Sequence, residues 1–142
     1  MAPGKCRSTV RGAGILKILV VDDERDLADV TGALLSAHAI ANRVVYSGQE
    51  GLQAIEQDND INAVFSDIMM PEMTGLLLAR EIKERYPEVK VVLTSGFTSP
   101  AILAAHDWSD GFTPKPYKIE TVIKLFKCDG ESGPQPPCRT RG

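Results

Sequence analysis

Apolar residues in this chain gather in short dense runs, and between the runs they recur at the three-and-four spacing of amphipathic helices. Ile15–Val21 is the first run and predicts a buried strand. Arg25–Ala37 follows as a helix, with Leu27, Thr31, Leu34 and Leu35 toward one side. Asn42–Tyr46 predicts a short second strand. Ser47 then offers an N-cap, with Glu50 as its capping-box partner, for a helix turning Leu52 and Ile55 inward. Ala63–Ser66 is the third strand, and Thr74 caps a helix over Gly75–Tyr86 with Leu76, Leu77, Ala79 and Ile82 as its stripe. Pro87 ends that helix. Val89–Thr94 predicts a fourth strand, and Pro100 suits the first turn of a fourth helix reaching about His106. Gly111–Thr113 predicts a fifth strand, and Lys118–Lys127 a last helix burying Val122, Ile123 and Phe126.

Strands and helices alternating through short links imply a parallel sheet with right-handed crossovers and helices on both faces. The expected fold is a doubly wound (βα)5 three-layer sandwich spanning residues 15–128. Residues 1–14 have no periodicity and are expected to be a flexible leader. Residues 129–142, with Gly130, Gly133, Pro134, Pro136 and Pro137, are expected to be a disordered tail.

Composition narrows the function classes. With 43% apolar and 25% charged residues, the chain has the make-up of an ordinary globular domain. A net charge of −3 and scattered basic residues give no footprint for nucleic acid. No apolar run approaches the roughly 20 residues that span a bilayer, so a cytoplasmic location is the default expectation. Cys6, Cys128 and Cys138 lack metal-ligand spacing and read as free thiols. His38 and His106 fall near predicted helix ends and fit no catalytic scheme.

The chemistry lies where the strands end. Asp22 and Asp23 close the first strand, Asp67 the third, Ser95 the fourth, and Lys115 follows the fifth. In an open parallel sheet those ends converge on one crevice. Three carboxylates brought together need a positive counterion, and Mg²⁺ takes oxygen ligands of this kind. Asp67 is also a candidate nucleophile that would form an aspartyl phosphate, with Lys115 facing the phosphoryl oxygens. Pro116 admits a cis bond to Lys115. Ser95 offers a hydroxyl, and Phe112 a side chain that could change exposure as that hydroxyl moves. Taken singly, each feature has a plainer reading: a solvated loop cap for the acidic pair, a turn for Asp67 or Ser95-Gly96, core for Phe112. The combination on one sheet edge carries the inference.

These residues resemble the receiver domain of bacterial two-component response regulators, over about residues 16–127. The resemblance implies a flavodoxin-like sheet in the order 2-1-3-4-5. It implies Asp67, in Asp67-Ile68-Met69-Met70-Pro71, as phosphoacceptor, with Asp22, Asp23, Asp67 and the Met69 carbonyl as Mg²⁺ ligands. Ser95 and Phe112 are then the switch residues and Lys115 the phosphate-sensing lysine. The segment Val91–Phe97 is similar to receivers fused to hybrid histidine kinases. The partner implied is a sensor histidine kinase or a histidine phosphotransfer protein, with the chain a monomer or weak homodimer. His106-Asp107-Trp108-Ser109-Asp110 departs from the family pattern before the fifth strand. Met69 cannot orient an attacking water, so slow dephosphorylation is expected. The alternative function is a phosphorylation-independent interaction module on the same fold. A flavodoxin-like cofactor binder would need a phosphate-cradling loop after the first strand, which this chain lacks.

Overall fold

The computed structural model describes residues 15–96 and 109–128. In chain order the elements are β1 (Lys17–Val21), α1 (Arg25–Ala37), β2 (Ala41–Val45), α2 (Gly48–Gln57), β3 (Ala63–Asp67), α3 (Gly75–Arg85), β4 (Lys90–Ser95), β5 (Gly111–Pro114) and α4 (Ile119–Cys128). The fourth helix expected from Pro100, the leader and the tail lie outside the described residues. The five strands form one parallel sheet in the order β2-β1-β3-β4-β5. The fold is α/β and flavodoxin-like, with the expected strand order.

Alternation along the strands divides the core into two layers. Leu19, Val21, Val64, Val91 and Leu93 project to one face and pack with Ile55, Leu78, Ala79 and Ile82 of α2 and α3. Ile18, Val20, Phe65 and Val92 project to the other and pack with Ala28 and Leu35 of α1 and Val122 and Phe126 of α4. β3 is the middle strand and every residue in it is buried. Each fully buried aliphatic side chain contributes about 1.5–3 kcal/mol, so the sheet centre is the rigid base from which Asp67 emerges.

The helix starts follow their sequence signals. Ser47 Oγ accepts from the Glu50 N–H at 3.1 Å, and Glu50 Oε1 accepts from the Tyr46 N–H at 2.8 Å. The box thus closes on the residue before the cap. Thr74 Oγ1 accepts from the Leu77 N–H at 3.2 Å. No helix among the described residues is long and apolar enough to cross a membrane.

Some details of the pattern shift. Ile15 is 81% exposed, because strand pairing begins only at Lys17 opposite Ala41. Leu34 and Leu77 are each 41% exposed, and Ala28 and Leu78 are fully buried. The buried face of α1 is set by close approach to the sheet. A Cβ at Gly32 would stand 2.6 Å from a Val44 methyl, so small residues face inward and Leu34 turns outward. Strand and helix limits differ from the expected ones by one or two residues.

Candidate functional site

Parallel register brings the strand ends to one edge. Val21 pairs with Ser66, Asp67 with Thr94, and Ser95 with Pro114. Asp22 therefore stands beside Asp67, with Lys115 opposite. One carboxylate oxygen from each of Asp22, Asp23 and Asp67 lies within 4.8 Å of the others. Asp22 and Asp67 are buried, at 3% and 5% exposure, whereas Asp23 is exposed.

Lys115 neutralises part of this charge. Its ammonium lies 3.1 Å from Asp67 Oδ2, 3.3 Å from Asp22 Oδ2 and 3.7 Å from Glu24 Oε1. Burial works against the Lys115 charge, but Asp22 and Asp67 together outweigh it and hold the pKa above the ordinary lysine value. Asp22 moves the other way from a typical ion-paired aspartate. Burial raises its pKa, and the Asp67 charge adds to that rise. The Glu24 N–H at 2.9 Å and the Lys115 ammonium oppose it without cancelling it. Two buried carboxylates sharing one ammonium leave a net negative pocket lined by hard oxygen donors. Such a donor set fits a divalent metal cation.

Met69 and Ser95 also stand at this edge, and Phe112 lies within the sheet two positions before the end of β5. The Met69 N–H donates to Asp67 Oδ1 at 3.2 Å, and the Met69 side chain is half exposed. Ser95 is fully buried, and its carbonyl accepts from the Lys115 N–H at 3.0 Å. The Lys115–Pro116 bond is cis. Phe112, opposite Leu93, is half-buried on the same core layer. By alternation Ser95 shares that face, and Thr94 faces away from it. The Thr94 hydroxyl is buried without a hydrogen-bond partner among the described residues.

Sequence reasoning missed Glu24, Gly75, Tyr117 and Thr31. Glu24 had a signal, being the third acid in a row after β1. The Tyr117 hydroxyl, whose pKa burial raises, lies 2.7 Å from Thr31 Oγ1. These residues are 86 positions apart, and no local pattern pairs them.

Comparisons with known proteins agree with this arrangement. A family described as the response regulator receiver domain matches residues 18–127. Sensor kinase CckA of Brucella abortus is 30% identical over 119 residues, covering 81% of this chain and 12% of that protein. Transcriptional regulatory protein CpxR of Klebsiella pneumoniae is 28% identical over 112 residues, covering 78% of this chain and 47% of that protein. The chain thus spans less than half of either relative. Among solved structures, the receiver domain of NtrX from Brucella abortus is similar at 33% identity and TM-score 0.70, covering 77% of this chain and 93% of that one. A CheY-like receiver domain protein from Methanospirillum hungatei shares the fold at 24% identity and TM-score 0.74, covering 80% and 92%. A match across most of the folded chain, with its acidic cluster at the strand ends, establishes that the protein belongs to the response regulator receiver domain family.

Proposed function

We propose that this domain accepts a phosphoryl group on Asp67 from a phosphohistidine in a two-component phosphorelay. The observation that carries the reading is the trio of carboxylates within 4.8 Å of one another, faced by the Lys115 ammonium at the carboxyl edge of a parallel sheet. An Asp67 oxygen attacks phosphorus, the O–P bond forms as the P–N bond of the donor breaks, and the leaving imidazole takes a proton from solvent. Asp22, Asp23, Asp67 and the Met69 carbonyl are the residues that would hold Mg²⁺. When bound, the ion would neutralise charge on the transferring phosphoryl oxygens.

The chain's own groups do the rest. Lys115, now shared by Asp67 and Asp22, moves its contact from the Asp67 carboxylate to a phosphoryl oxygen. The Ser95 hydroxyl turns to the same group, and Phe112, on the same face of the sheet, follows into the space released. Partner surfaces then read the change. The similarity to a sensor kinase and to the NtrX receiver supports a sensor histidine kinase or histidine phosphotransfer protein as donor.

Intact-mass measurement after incubation with acetyl phosphate and Mg²⁺ tests the reading. The wild type is expected to gain one phosphoryl mass, and Asp67→Asn or excess chelator to abolish the gain. Labelling that persists in Asp67→Asn, or none in the wild type, would refute it and leave the interaction-module alternative.

A further inference from the structure

Tyr117 touches segments that lie next in sequence to Asp22, Asp67 and Lys115. It lies two residues after Lys115. Its ring meets Phe65 edge-on, with centroids 4.9 Å apart and planes at 87°, and Phe65 lies two residues before Asp67 on β3. Its hydroxyl reaches Thr31 Oγ1 at 2.7 Å on α1, the helix that starts three residues after Asp22. One side chain thus joins the turn after β5, the middle strand and the first helix.

The direction of the hydroxyl bond follows from a proton count. Thr31 has one hydroxyl proton and donates it to the Leu27 carbonyl at 2.9 Å. Tyr117 must therefore be the donor to Thr31. The relay ends on a main-chain carbonyl of α1, and Thr31 itself is 1% exposed. Water does not compete easily for that bond.

Lys115 depends on such an anchor. Its N–H donates to the Ser95 carbonyl at 3.0 Å, which ties its main chain to the end of β4. Its ammonium sits at the end of a flexible four-carbon stem. We propose that Tyr117 is a positioning residue: its bond to Thr31 fixes the Lys115–Tyr117 turn against α1 and so places the ammonium between Asp22 and Asp67. The chemical consequence, placement of the ammonium for an arriving phosphoryl oxygen, rests on the phosphoacceptor reading; the geometry does not.

Tyr117→Phe and Thr31→Val each delete the bond while keeping the side-chain outline. The first measurement is the Lys115 ammonium resonance of the metal-free protein, identified by its loss in Lys115→Met. Both variants are expected to move it, and an unmoved resonance overturns the proposal. The second is the rate of labelling at saturating Mg²⁺ and acetyl phosphate. Tyr117→Phe is expected to slow it about fivefold at unchanged Mg²⁺ affinity, and to add nothing in the Lys115→Met background. Equal slowing in both backgrounds marks a general packing effect and overturns the proposal. A wild type that takes no phosphoryl group sinks the phosphoacceptor reading alone, and the ammonium resonance still decides the role of Tyr117.

Discussion

Gly75 packs against the main-chain carbonyl of Asp67 so closely that a Cβ on Gly75 would overlap the carbonyl oxygen and stand 2.8 Å from Ile68 Cα. The Gly75 N–H also donates to the Ile68 carbonyl at 2.9 Å. The first residue of α3 therefore clamps the backbone that carries the candidate nucleophile.

Gly75→Ala is expected to destabilise the domain by about 1–3 kcal/mol, since backbone must move to admit the methyl group. Gly48→Ala meets a side chain instead, with the Met73 sulfur at 2.7 Å, its Cγ at 2.9 Å and its Cβ at 3.0 Å; the thioether can swing aside and the Cβ must give slightly. Its cost is expected to be smaller, about 1 kcal/mol. Urea unfolding of both variants checks the contrast, which fails if Gly48→Ala costs as much as Gly75→Ala.

Asp23 is the exposed member of the acidic trio. In chelator, Asp23→Asn relieves repulsion and is expected to raise stability by about 0.5 kcal/mol. In excess Mg²⁺ the order reverses, because the wild type gains more binding free energy than the variant. Thermal melts under the two conditions should cross. A variant that remains more stable than the wild type in both would remove Asp23 from the proposed ligand set.

Met69 is half exposed, and its N–H donates to Asp67 Oδ1. A thioether cannot orient water for attack on an acyl phosphate, whereas an amide can. Met69→Asn is expected to shorten the lifetime of phosphorylated Asp67 about fivefold. Following loss of the phosphoryl mass after donor removal measures this. A wild-type half-life of seconds would contradict the premise.

Lys17 Nζ donates to Asp58 Oδ2 at 2.7 Å, joining β1 to the end of α2. Burial alone would raise the Asp58 pKa. The Lys17 hydrogen bond, the Asp60 N–H and the charges of Lys17 and Arg43 outweigh it and lower the pKa instead. A lowered aspartate pKa stabilises the fold above the unfolded value and loses that contribution as pH falls through the folded one. Asp58→Asn should therefore cost about 0.5–1 kcal/mol at pH 7. Urea titrations at falling pH should show the gap to wild type closing below about pH 4. A gap that widens on acidification would reverse the sign of the assignment.

The strand-and-helix order, the caps at Ser47 and Thr74 and the strand-end positions of Asp22, Asp23, Asp67, Ser95 and Lys115 were legible in the sequence. Each depends on local rules: periodicity, a short polar side chain before a helix, and a charge closing an apolar run. Glu24 was legible as an acid but not as a neighbour of Lys115, because a loop residue has no period to aim it.

Helix phase and close approach were decided by the tertiary structure. Leu34 and Leu77 satisfied a three-and-four stripe, yet the sheet surface admits Ala28, Gly32 and Leu78 in their place. Tyr117 against Thr31 is a hydrogen-bonded contact between residues 86 positions apart, and Gly75 beneath the Asp67 carbonyl is a steric contact made by the path of the loop after β3. Sequence by itself determined which chemistry could gather at one edge, because strand ends in a parallel sheet must meet there. Only packing decided how near the charges stand and what holds them, because distance between elements depends on the shape of every side chain between them.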